Sequence, residues 1–183
     1  MSQDAAAAYL RNIVRTFRTY KTLGEKALAQ MPDEALHTEL DANSNSVAVI
    51  VKHVGGNLRS RFRDFLTTDG EKPDRNRDGE FQMPERASRA QVMQWWEDGW
   101  ATALGAIDAL TPDDLTRTIQ IRGEPLLVVD ALNRSVTHTS YHVGQMVYLA
   151  RHFAGSGWTS LTIPKGESAK AASGNVKPKG LAR

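Results

Sequence analysis

The sequence predicts an all-α chain built as a four-helix bundle. Three observations carry that expectation. Four long segments place apolar residues at alternating three- and four-residue steps. The 183 residues suit one domain with one substantial core. The composition is ordinary for a globular protein, with 40% hydrophobic and 24% charged residues.

The first segment runs from about Gln3 to Met31, with Leu10, Ile13, Phe17, Tyr20, Gly24, Ala27 and Met31 on one seam. Met31-Pro32-Asp33 stops it. The second follows the polar run Asn43-Ser44-Asn45-Ser46, which offers N-cap oxygens. Its stripe is Val47, Ile50, Val54, Leu58, Phe62 and Phe65. A loop rich in Asp, Gly, Pro and Arg then extends from Thr67 to about Arg86. Ser88-x-x-Gln91 has the capping-box pattern and opens the third helix, whose apolar face is Val92, Trp96, Trp100, Ala103, Ile107 and Leu110. Thr111-Pro112-Asp113-Asp114 starts a separate short turn.

Thr118 to Ile121 alternates, and Arg122-Gly123-Glu124-Pro125 turns it back, which predicts a short hairpin. The fourth helix spans about Val128 to Phe153. Periodicity is lost after Gly155. The expected division is therefore a bundle over 1–154 and an extended, partly mobile tail over 155–183.

The chain has no cysteine, which removes disulfides, thiolate metal sites and a cysteine nucleophile together. No stretch approaches the ~20 apolar residues of a membrane helix, and the N-terminus does not read as a signal peptide. The expected location is the cytoplasm. A pI near 9.0 suggests nucleic acid, but the charge is placed against it. From Gly155 onward Lys165, Lys170, Lys177, Lys179 and Arg183 face only Glu167, a net of +4. That leaves Met1 to Ala154 at about −2 of the whole-chain +2. A basic tail on an acidic body predicts neither a nucleic-acid nor a membrane partner.

Histidine is where chemistry concentrates. His138 and His142 stand four residues apart on the fourth helix, so their rings project from one face, where two imidazoles can grip one metal ion. His53 lies on the core side of the second helix between Ile50 and Val54. A buried imidazole needs a hydrogen-bond partner or a metal, so the alternative for His53 is a hydrogen-bonded core residue. Three neutral imidazoles suit zinc, nickel, iron or copper, with zinc, nickel and iron foremost, and disfavour magnesium or calcium. His37 and His152 lack such a setting.

An inward histidine on the second helix paired with His138-Thr139-Ser140-Tyr141-His142-Val143-Gly144-Gln145 on the fourth resembles the DinB-like metal-binding bundles. The chain is most similar to a branch of that superfamily with unassigned function. The resemblance rests on Tyr20-Lys21, Lys52-His53-x-x-Gly56-Asn57-Leu58-x-Ser60-Arg61, Thr68-Asp69-Gly70-Glu71-Lys72-Pro73-x-Arg75, and Ile163-Pro164-Lys165-Gly166-x-Ser168. It implies an up-down-down-up bundle with a long crossover, metal ligation by His53, His138 and His142, and a homodimer. Some relatives transfer low-molecular-weight thiols, which implies thiol-conjugate transferase or hydrolase-like chemistry on a small molecule. It also implies order from Trp158 to Ser168, where composition alone reads as loose.

Asn57 and Arg61 follow His53 at four-residue steps, and Gln145 lies about a turn beyond His142. All three are expected to position substrate, Arg61 as a bidentate fork for a carboxylate. The alternative for Arg61 is an ion pair with a neighbouring element. Asp69, Glu71, Lys72 and Arg75 can form a pocket rim or simply a turn, and an exposed Trp95 would be an interface residue. Two other functions stay open beside the enzyme: a non-catalytic metal-binding dimer, and an interaction scaffold whose histidines are core residues.

Overall fold

The computed structural model describes residues 2–83 and 85–172. Helices α1 (Gln3–Leu28), α2 (Val47–Phe62), α3 (Arg89–Asp108) and α4 (Val128–Ala154) form the bundle. A hairpin of β1 (Thr118–Ile121) and β2 (Glu124–Leu127) precedes α4, and a short helix α5 covers Ser168–Ala172. The expected all-α class and the hairpin are both present.

Local chemistry sets the boundaries. Ser46 Oγ accepts the Val49 N–H and starts α2. α1 stops at Leu28, three residues before the expected end. Gln30 and Met31 donate to the carbonyls three residues back, a tightened last turn ahead of Pro32. At α3 only half of the expected capping box forms. Ser88 Oγ accepts the Gln91 N–H at 3.2 Å, but the Gln91 amide turns to Gln94. The reciprocal contact occurs instead at Thr111, whose N–H donates to Asp114 Oδ2 at 2.8 Å.

Cross-helix contacts fix the topology as up-down-down-up. Tyr9 hydroxyl bonds Asn133 and Gly24 lies beside Met146, so α1 and α4 are parallel. Arg89 donates to Leu28 O and Arg18 pairs with Asp108, so α3 runs against α1. The Lys52 ammonium sits 5.6 Å from the Trp95 ring centre. Farther along, Phe17 meets Phe62 and Trp100 edge-on at 5.8 and 6.2 Å, so α2 and α3 run together.

The expected α2 stripe is buried throughout, but so are Ala48, Val51 and Gly55 on another face. α2 packs against α3 on one side and α4 on the other, and a helix covered all round shows no single stripe. Its seam with α3 is a backbone contact: a Cβ on Gly99 would lie 2.6 Å from the Gly55 Cα. Trp95 is half-buried against the core rather than exposed.

Beyond α4 the chain returns to the bundle. Leu161 is buried, Trp158 packs on the core, and the Gln30 amide brackets the Thr159 backbone with bonds of 2.7 and 3.1 Å. Burying Trp158 and Leu161 offsets a composition that reads as loose. Residues 173–183 of the expected mobile tail lie outside the described residues. No helix among the described residues is long and apolar enough to cross a membrane.

Candidate metal centre

The three histidines predicted to act together do meet. His53 projects from α2, and His138 and His142 from α4. One ring nitrogen from each lies within 4.8 Å of the others, a group that can hold a metal ion. His53 Nε2 and His138 Nε2 are 3.2 Å apart. In a tetrahedral site with metal–nitrogen bonds of about 2.0–2.1 Å, two ligating nitrogens stand roughly 3.3 Å apart. The spacing therefore fits a metal ion held by three imidazoles.

Two of the rings are held by their second nitrogen. His53 Nδ1 donates to Glu80 Oε2 at 2.8 Å, and His142 Nδ1 donates to Gln145 Oε1 at 2.9 Å. Each contact fixes the tautomer and turns Nε2 toward the other histidines. His138 Nδ1 is buried without a hydrogen-bond partner.

Glu80 is the neighbour of the histidines that the sequence did not reveal. It comes from the crossover loop, is 6% exposed, and is clamped by Arg75, whose Nε and Nη2 donate at 2.8 and 2.9 Å. Burial pushes the Glu80 carboxyl up, but the bonds from His53 and Arg75 outweigh it and hold it below the ordinary carboxylate range. Gly56 makes the approach possible: a Cβ there would lie 2.4 Å from Glu80 Oε1. That glycine was the one available signal. Mid-helix it costs about 1 kcal/mol relative to alanine, so it implies a close neighbour.

The histidines line a cavity of about 300 Å³ between α2, α4, the crossover loop and the hairpin. Asn57 and Arg61 line it too. The Arg61 guanidinium is also engaged, donating to Gly70 O and to Glu71 at 3.0 Å. Gln145 is not among the lining residues; its contact is with His142.

The hairpin is stapled to the crossover loop. Arg122 and Gly123 both have positive φ, of 60° and 75°, as a type I′ hairpin turn requires. Asp69 accepts both of their backbone N–H groups at 2.8 and 2.7 Å. Backbone donation from Glu71, Gly123 and Arg122 holds the Asp69 carboxyl below its usual range. Glu71 then gathers Arg61, Arg75 and Arg122, so the Asp-Gly-Glu loop holds in place three of the arginines that line the cavity.

Burial, with His142 and His53 as neighbours, pushes His138 down from its ordinary 6.5 to about 3. Burial likewise pushes His142 down to about 4, against the hydrogen bond to Gln145, which acts upward. Both imidazoles are therefore neutral and ready to ligate at pH 7. In the unfolded chain they protonate near 6.5, so between pH 6.5 and about 3 the unfolded state binds more protons. Urea midpoints of metal-free protein are expected to hold above pH 6.5 and fall steadily as pH drops from 6.5 toward 4. A flat profile across that window would contradict the depressed values.

The family described as "Protein of unknown function (DUF1572)" matches residues 4–167. No curated protein matches. Among solved structures, a DinB-like protein from Bacillus subtilis is 15% identical with a TM-score of 0.61, covering 81% of this chain and 94% of its own. A DinB-like protein from Bacillus cereus ATCC 10987 is 20% identical with a TM-score of 0.56, covering 79% and 89%. At these identities the likeness is one of fold. With nearly all of its helical body matched, the chain belongs to the DUF1572 family and has the DinB-like four-helix-bundle fold.

Proposed function

We propose that this chain binds one divalent transition metal, zinc, nickel or iron, through His53, His138 and His142, and acts with it on a small molecule. The supporting observation is that three imidazoles converge beside an open cavity, two of them oriented by Glu80 and Gln145. Three protein ligands leave a coordination position for substrate, the pattern of catalytic rather than closed structural sites. A metal held there supplies a Lewis acid. Asn57 and Arg61 act from the cavity wall on the substrate. Gln145 positions His142, and Glu80 positions His53. The chemistry that best suits such a site is transfer to or from a thiol conjugate, or a related hydrolysis. The same reading includes a cytoplasmic homodimer.

Elemental analysis of untagged protein tests the ligand set. About one metal per chain is expected in wild type, with loss in both His53→Ala and His142→Ala. Wild-type protein that stays folded and takes up no divalent metal would exclude the triad as ligands.

A further inference from the structure

The cavity beside the histidines has a one-sided charge. Among the described residues five arginines line it, Arg61, Arg75, Arg77, Arg122 and Arg134, and no aspartate or glutamate does. Two of the five are engaged below the surface: Arg61 with Glu71, and Arg75 with Glu71 and Glu80. The other three are exposed and come from separate parts of the chain, the crossover loop, the hairpin turn and α4. Arg122 shares Glu71 with Arg61 and Arg75. Arg77 lies 5.3 Å from the Phe81 ring centre and reaches only Asp78, 3.6 Å away with a 90% exposed side chain, a contact worth little in water.

Arg134 stands out among them. It lies one turn before His138 on the same helix, lines the same cavity, and forms no ion pair or hydrogen bond with any described residue. Ser135, beside it in sequence, also lines the cavity; it is 7% exposed and its hydroxyl has no hydrogen-bond partner. Four of the guanidinium groups thus share three carboxylates, Glu71, Glu80 and Asp78, Arg134 has none, and the imidazoles contribute no negative charge. Such a wall focuses a positive potential into the cavity.

We infer that the substrate carries an acidic group, a carboxylate or phosphate, that enters between Arg134 and Arg77 while its reacting end faces the three histidines. Planar guanidinium forks match both oxyanions. The inference rests on the proposed function only for the reacting end; anion capture belongs to the arginines. Arg134 and Arg77 are thereby specificity residues on the rim, and Asn57 and Ser135 supply neutral contacts deeper in.

The test is calorimetric titration of the full chain, metal-loaded and EDTA-treated, with succinate, inorganic phosphate and neutral succinamide. Succinate or phosphate is expected to bind at least ~10-fold more tightly than succinamide in both preparations. Raising salt should weaken that binding, because the rim is solvent-exposed. The Arg77→Gln/Arg134→Gln double variant should lose roughly tenfold in anion affinity while keeping wild-type metal content and melting temperature. Which anion binds more tightly distinguishes a carboxylate from a phosphate substrate. Equal binding of succinamide, no anion binding, or full affinity in the double variant would overturn the inference. Anion preference in a wild type that takes up no metal would leave it standing and sink only the metal reading.

Discussion

Glu80→Gln is expected to lower affinity for a divalent metal by roughly ten- to a hundredfold, the usual effect of removing the group that orients a ligating histidine. The same change should destabilise the metal-free chain by about 3 kcal/mol. Both effects follow from one position. The carboxylate accepts His53 Nδ1–H through one oxygen and the Arg75 fork through both. The side chains of Glu80 and Arg75 are only 8% and 4% exposed. Glutamine keeps the volume but turns an N–H donor toward either the imidazole or the guanidinium. Arg75 is then left as a buried charge with only Glu71, at 3.4 Å, to balance it. Chelator competition measures the first effect and urea unfolding the second. Glu71→Gln is the control, since Glu71 touches three arginines but no histidine. It should cost stability and leave metal affinity near wild type. Equal metal affinity in Glu80→Gln and wild type would show that His53 needs no orienting partner.

The second large effect is expected at the seam between α2 and α3. Gly99→Val places a Cβ 2.6 Å from Gly55 Cα and 2.7 Å from Gly55 O before its methyl groups are counted. These are backbone atoms of a buried helix, so no side chain can swing aside. The helices must separate, at a cost of about 3 kcal/mol or more. For a chain of this size that lowers the melting temperature by roughly 6–12 °C. Metal retention should fall as well, because His53 lies two residues from Gly55 on the helix that must move. Gly105→Ala on α3 is the matched control. Nothing lies within 4 Å of a Cβ there, and alanine should stabilise by up to ~1 kcal/mol. An unchanged melting temperature in Gly99→Val would mean that the seam is looser than the distances show.

The bundle was legible because its information is local. The apolar steps from Leu10 to Ala27 and from Val92 to Ile107, and the serines ahead of α2 and α3, act within a few residues. The histidine pair was legible for the same reason: four residues on a helix is one turn, whatever the rest of the chain does. The hairpin was readable from the alternation of Thr118 to Ile121 and the turn residues Arg122-Gly123-Glu124-Pro125 that follow it.

Assembly decided the rest. That His53 meets His138 across 85 residues depends on α2 and α4 running antiparallel at one depth. Nothing near His53 states that a glutamate 27 residues on, in a loop without periodicity, will fill the space left by Gly56. The arginine rim is likewise invisible in order along the chain, because Arg77, Arg122 and Arg134 sit in a loop, a turn and a helix that only packing brings to one opening. Composition misjudged Trp158 to Leu161 because it averages over residues, whereas one indole and one leucine finding a groove on the bundle suffice to order the backbone between them. The sequence by itself determined the helices, the turn and the imidazole pair, since backbone periodicity and capping are short-range. Only the tertiary structure decided which carboxylate orients His53 and which charges face the cavity, since those depend on where distant segments are held in space.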